Sequence, residues 1–244
     1  MSGKADRWRR EDLSKLYLNG VRGAIPLADY QIQTILTIIR KTELEVRAFL
    51  DLGCGDGILG RAILSEYPEA TGVFLDFSDT MIEAARQNIT KSSGKLSFVT
   101  EDFGEPSWIK SVSRYGGFDV IVSGLSIHHQ KDERKREIYE EIFNLLVPGG
   151  LFLNLEHVAS PSPFLEHLHD EFFIDSLYRY HHTLDPAKTR EEIAWSHYNS
   201  PLREANILAP VDTQCSWLQQ IGFKEVDCYL KIFELALFGG MKPK

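Results

Sequence analysis

The sequence predicts an α/β protein: a seven-stranded mixed sheet, with five parallel strands closed by an antiparallel C-terminal hairpin, helices on both faces and a helical cap. Three observations predict it. From about Val46 onward, short apolar runs alternate with longer stretches of helical period, the pattern of βαβ units in a parallel sheet. The first of these runs leads directly into a glycine-rich turn, Asp51-Leu52-Gly53-Cys54-Gly55-Asp56-Gly57, that opens a helix. The last two runs, Lys224–Leu230 and Phe233–Phe238, stand too close together for the roughly a dozen residues that a parallel crossover needs, so they must pair antiparallel.

The elements follow in order. Strands are expected at Val46–Leu52, Thr71–Asp76, Lys95–Thr100, Phe118–Ser123 and Leu151–His157. Helices are expected between them at Ile58–Glu66, Asp79–Ile89 and Lys131–Leu146, the last stopped by Val147-Pro148-Gly149-Gly150. A final helix, Asp212–Ile221, ends at Gly222. Residues 1–45 read as an N-terminal helical lid of two helices hinged between Gly20 and Pro26, and residues 46–244 as the main domain. A helical cap is inserted at about 160–210. There Phe164, Leu168 and Phe172 recur at i, i+4 and i+8 and predict one apolar helical face, and Thr189-Arg190-Glu191-Glu192 is a capping box. Lid and cap would both flank the crevice that open α/β sheets form beyond the carboxyl ends of their strands.

At 244 residues, 43% hydrophobic and 25% charged, the composition is that of an ordinary globular protein. A formal net charge of −8 argues against a nucleic-acid partner, which calls for clustered Lys and Arg. No apolar run reaches membrane-spanning length, so no membrane partner is expected. Cys54, Cys215 and Cys228 are an odd, scattered set that suits a reducing, cytoplasmic setting.

The glycine turn carries the functional argument. Its glycines allow a sharp turn and a close approach of a ligand to the backbone. Gly55-Asp56-Gly57-Ile58-Leu59-Gly60 also fits the dinucleotide fingerprint, and Asp76, about 20 residues on, could hold a ribose diol in either case. Two carboxylates separate the readings. Asp51 could hold a cationic ammonium but would repel a pyrophosphate, and Asp102 in Glu101-Asp102-Phe103 is placed to accept from an adenine amino group. S-adenosyl-L-methionine is therefore the expected cofactor.

Taken in order, D-L-G-C-G-D-G (51–57), L-D-F-S (75–78), E-D-F (101–103), L-S-I-H-H (125–129) and V-P-G-G (147–150) resemble the class I, Rossmann-like methyltransferases that use S-adenosylmethionine. The resemblance covers about 200 residues. The N-terminal R-G-A-I-P-L-A-D-Y (22–30) and the long insertion are similar to the group that includes carboxy-S-adenosylmethionine synthase, which acts in wobble-uridine modification; the glycine turn here is more regular than in that synthase. The resemblance implies that Gly53, Gly55 and Gly57 line the methionine and ribose, that Asp76 pairs with the ribose, and that Phe77 and Phe103 flank the adenine. It also implies Ser123 and Leu125 beside the sulfonium, Arg22 on the cofactor carboxylate and Tyr17 closing over it.

Catalysis could rest on alignment alone, because the cofactor supplies an activated methyl group. His128, His129 and His157, with Glu156, stand at strand ends where a base for a protonated acceptor would sit. No metal is expected: His167 and His169 lie two apart on a predicted helix and so point to different faces. The aromatic residues Phe172, Phe173, Tyr178, Tyr180, Trp195 and Tyr198 are read as cap core or as the wall of an apolar pocket. The expected partner is a small-molecule acceptor, methylated at O, N or C, with a homodimer left open. Two alternatives stay in view: an enzyme that modifies the cofactor itself, with Arg203 to hold a new carboxylate, and a regulatory protein that binds the cofactor without turnover.

Overall fold

A computed structural model describes residue 14 and residues 17–89 and 93–244. Its strands are β1 (Ala48–Leu52), β2 (Thr71–Asp76), β3 (Leu96–Thr100), β4 (Phe118–Gly124), β5 (Leu146–His157), β6 (Lys224–Ile232) and β7 (Leu235–Met241). They form one sheet in the order β3-β2-β1-β4-β5-β7-β6. The first five are parallel, and β7 joins antiparallel to both β5 and β6, as the short C-terminal connection requires. The helices are α1 (Ala28–Lys41), α2 (Ile58–Glu66), α3 (Asp79–Asn88), α4 (Trp108–Ser113), α5 (Asp132–Leu145), α6 (Pro163–Leu184), α7 (Arg190–Tyr198), α8 (Pro201–Glu204) and α9 (Val211–Ile221).

Alternation along the strands builds a core on each face of the sheet. Leu50, Leu52, Val73, Leu75, Ile121 and Phe152 face α4, α5 and α9, where they meet Trp108, Ile138, Tyr139 and Leu218. Their neighbours Phe49, Phe74, Val120, Val122, Leu151 and Leu153 face α1, α2 and α3, and meet Ile35, Ile39, Ile63 and Ile82. Because both faces are covered, the strands read as unbroken apolar runs. The chain winds outward in both directions from β1 and β4, so the crevice at their carboxyl ends marks the topological switch point.

Three expectations are corrected. β5 begins at Leu146, directly after α5, and Leu146 pairs with Phe118; the Pro-Gly-Gly segment is part of the strand rather than a loop. In α6 the face of Phe164, Leu168 and Phe172 is not buried: Phe164 is 68% exposed, and the buried positions are His169, Asp170, Ile174 and Leu177. Of the two helices expected in residues 1–45, the first falls largely outside the described residues. What precedes α1 is a π-helical turn at Tyr17–Val21 and a 3-10 turn at Arg22–Ala24. The capping box of α7 forms as expected, with Thr189 and Glu192 each accepting from the other's backbone N–H.

Candidate functional site

The turn after β1 is held by two carboxylates. Asp51, 1% exposed, accepts from the Gly60 N–H at 2.8 Å and so caps the first turn of α2. Asp76, 6% exposed, accepts from Gly55 N–H at 3.0 Å and from Ser78 N–H at 2.9 Å. Burial pushes the Asp76 carboxyl up to about 6, against the pull of these backbone hydrogen bonds. Gly55 has a φ of +53°, and a Cβ there would meet nothing within 4 Å, so the backbone is open to a ligand. Gly60 packs instead: a Cβ there would lie 2.2 Å from the Phe74 ring and 3.0 Å from Asp51 Oδ2.

These residues line a first chamber at the switch point. Its wall includes Tyr17, Asp51, Gly53, Gly55, Asp56, Asp76 and Phe77, with Leu125, Ser126 and His129 opposite. Three of the lining residues are aspartates, and among the described residues no Lys or Arg lines it. Such a wall attracts a cation and repels a diphosphate. Asp102 and Phe77 line an adjoining shallow cleft with Ser78 and Thr100, and Asp102 Oδ1 accepts from Gly104 N–H at 2.8 Å.

Three expected cofactor residues lie behind this wall. Phe103 is 3% exposed and packs in the core with Leu52 and Trp108. Ser123 is fully buried, and its hydroxyl donates to the Leu52 carbonyl at 2.8 Å, tying β4 to β1. Gly57 faces α3, where a Cβ would stand 3.1 Å from that of Ala85. The residues that do reach the chamber come next in sequence: Gly124 at the end of β4, then Leu125 and Ser126 just beyond it. Among them Leu125 has a φ of +50°, unusual for a side chain of its size, and donates its N–H to the Leu155 carbonyl at 2.7 Å. Arg22 lies in the 3-10 turn, and its side chain is outside the described part of the chain.

A second, larger chamber opens between the sheet ends and the cap helices. Tyr17, Ile25, Leu125 and His129 line both chambers, so the two meet across one wall. His128, His129, His157, His169, His181 and His197 line the second, six of the eight histidines in the chain. Sequence spacing offered no sign of this convergence, because the six come from four separate elements.

Carboxylates anchor three of these rings. His128 Nδ1 lies 2.5 Å from Glu156 Oε1, while the other Glu156 oxygen accepts from the His128 backbone N–H at 3.1 Å. Burial drives the pair toward neutrality: Glu156, fully buried, is pushed up to about 7, and His128 is held well below the usual imidazole range. Burial likewise lowers His129, whose Nδ1 lies 3.4 Å from the Ala205 carbonyl. His157 Nε2 meets Glu234 at 2.8 Å, and His197 Nε2 meets Asp170 at 2.9 Å. Arg203 reaches both oxygens of Asp170 and also Glu166. Burial would raise Asp170, but the hydrogen bonds from His197 and Arg203 hold it down at about 2.

Comparison with known proteins follows the same line. Residues 49–150 match the family described as "Methyltransferase domain". Over that span the chain is similar to methyltransferases that use S-adenosylmethionine. It is 32% identical over 133 residues to the malonyl-[acyl-carrier protein] O-methyltransferase of Halalkalibacterium halodurans, a match covering 54% of this chain and 46% of the relative. It is 25% identical over 202 residues to the carboxy-S-adenosyl-L-methionine synthase of Desulforapulum autotrophicum, covering 80% of this chain and 74% of that one. The chain spans about half the length of the malonyl-[acyl-carrier protein] methyltransferases it matches. Human N-acetylserotonin methyltransferase, solved in complex with S-adenosylmethionine, shares the fold at a TM-score of 0.56 and 16% identity, over 96% of this chain and 60% of the human one. Among the described residues no helix is long and apolar enough to cross a membrane.

Proposed function

We propose that the protein transfers a methyl group from S-adenosylmethionine to a small-molecule acceptor. One observation carries this reading: an acidic chamber at the glycine turn shares a wall with a larger chamber under the cap. The cofactor would occupy the first, with the ribose on Asp76, the adenine beside Phe77 and Asp102, and the methionine ammonium near Asp51. Gly53 and Gly55 let the backbone approach it, and Tyr17 would close the methionine end. The acceptor would occupy the second, beneath a cap at about 160–210 and the described N-terminal segment that carries Tyr17 and Ile25.

The transfer is an in-line displacement. An acceptor lone pair attacks the methyl carbon, the carbon–sulfur bond breaks, and its electron pair stays on sulfur, leaving neutral S-adenosylhomocysteine. Holding both partners across the shared wall supplies most of what this needs. A protonated acceptor must also lose a proton. His129 is the base this geometry favours, because it lines both chambers and burial keeps its ring in the neutral, proton-accepting form. His128 would act as a positioning residue, held by Glu156 with its ring centroid 3.9 Å from that of His129. The acidic balance supports a small acceptor over a nucleic acid. The experiment is incubation with isotope-labelled S-adenosylmethionine and a metabolite extract, followed by mass spectrometry. A small molecule that gains the label supports the reading; label appearing only in tRNA or protein overturns the acceptor class.

A second reading is favoured by the relatives named carboxy-S-adenosyl-L-methionine synthase, one of which matches over 95% of this chain and 93% of its own. That reading needs a cation to hold a carboxylate beside the sulfonium. Arg203 is the residue the sequence offers, and it is already committed to Asp170 and Glu166. Mass spectrometry of the cofactor recovered from the protein separates the two readings.

A further inference from the structure

Three ligand-type side chains converge in the second chamber at a point that methyl transfer itself does not use. His157 ends β5, His169 lies on the inner face of α6, and Glu234 sits in the turn between β6 and β7. His157 Nε2 is 2.8 Å from Glu234 Oε2, and His169 Nε2 is 3.8 Å from the same oxygen. Each residue offers a ligand atom within 4.8 Å of the others. Glu234 and His169 are each only 3% exposed.

Hydrogen bonding leaves His169 unsatisfied. Its Nδ1 is buried with no partner among the described residues, and the 3.8 Å from Nε2 to Glu234 is too long for a hydrogen bond. With neither ring nitrogen of His169 in a hydrogen bond among the described residues, the Nε2 that faces Glu234 is available to ligate an ion. We propose that His157, His169 and Glu234 bind one divalent transition-metal ion in the acceptor chamber.

Two imidazole nitrogens and one carboxylate oxygen form a donor set used for zinc and for non-haem iron. Around a tetrahedral ion with bonds of roughly 2.0–2.2 Å, ligand atoms stand roughly 3.3–3.6 Å apart. The separations of 2.8 and 3.8 Å straddle that range and the third pair lies within 4.8 Å, so side-chain movement would close the shell around an ion. An outer partner is also in place: the side-chain amide of Asn206 lies 3.3 Å from His157 Nδ1. Turned over, that amide accepts from Nδ1–H and leaves the Nε2 lone pair for the ion. Three protein ligands leave at least one position open. His157 and His169 both line the chamber, so the open position faces its interior. Use of that position to hold an acceptor oxygen rests on the methyl-transfer reading; binding of the ion does not.

The pairing that spacing ruled out, His167 with His169, is absent here: His167 is exposed, and the partners of His169 come from other elements. The test uses the full chain without a polyhistidine tag, stripped with a chelator and titrated with Co²⁺ and Zn²⁺ by calorimetry, with the visible spectrum of the Co²⁺ form recorded. The expected result is one ion per chain with a cobalt ligand-field spectrum lacking sulfur charge-transfer bands. Affinity should fall at least tenfold in His169→Ala and in Glu234→Gln, and stay unchanged in His167→Ala. S-adenosylhomocysteine binding, measured on the same stripped protein, reports separately on the cofactor reading. Absence of stoichiometric binding in the wild type, binding retained in both variants, or a thiolate charge-transfer band would each overturn the proposal.

Discussion

Asp76 does two jobs that pull in opposite directions. It braces the glycine turn through Gly55 and Ser78, and it is the acceptor proposed for the ribose hydroxyls. Asp76→Ala should weaken cofactor binding by about 1.5–3 kcal/mol, roughly 10- to 150-fold, and also cost some stability as two backbone donors lose their acceptor. An unchanged dissociation constant in calorimetry would reduce Asp76 to a loop brace. Its carboxyl, raised to about 6, adds a pH signature. Between roughly pH 4 and 6 the folded protein holds this proton more tightly than the unfolded chain, so the Asp76 contribution to stability falls as pH rises through that window. Cofactor binding runs the other way, because ribose hydroxyls favour the ionised acceptor. Affinity should be flat above about pH 7 and weaken by up to tenfold per unit below 6. His129 gives the kinetic counterpart: His129→Ala should cut turnover by about 10²–10⁴-fold with cofactor affinity near wild type. Full turnover in that variant would leave alignment as the whole of catalysis.

The elements show why parts of the site could be read from sequence and others could not. Gly55 and Gly60 both belong to the glycine turn, yet they act on different properties. Gly60→Ala forces a methyl into the Phe74 ring and should cost about 1–3 kcal/mol or more in urea unfolding. Gly55→Ala has open space for its methyl but a φ of +53°, so it should cost about 1 kcal/mol of backbone strain and, beyond that, weaken cofactor binding, since the methyl projects where the ligand would lie. Equal losses of stability in the two would contradict this division. The parallel strands and α2 were legible because continuous apolar runs and a glycine turn are local signals. The inner face of α6 was not: it carries His169 and Asp170, which line a chamber, and hydrophobic periodicity cannot register a polar buried face. Ser123 and Phe103 were misplaced by one layer for a related reason. A motif gives the end of a strand, whereas the pleat decides which of its last residues reaches the ligand.

At the scale of the whole molecule, the sheet and the cap differ in how they are held. The sheet has a large core on each face, while the cap is joined to the N-terminal segment by a small cluster of Ala24, Ile174, Leu177 and Ile193, with Ser176 donating to the Ala24 carbonyl at 2.8 Å. Segments with few buried apolar contacts open at lower free energy. Amide exchange should therefore be faster in α6–α8 than in β1–β5, and it should slow on cofactor addition, because Tyr17 and Ile25 link the segment to both chambers. The claim on which everything else depends is the chemistry of the first chamber: aspartates at a glycine turn that also fits a dinucleotide fingerprint. Isothermal titration with S-adenosylhomocysteine and with NAD tests it most directly. One saturable S-adenosylhomocysteine site per chain and no binding of NAD is the predicted result; saturable NAD binding with no response to S-adenosylhomocysteine would contradict it.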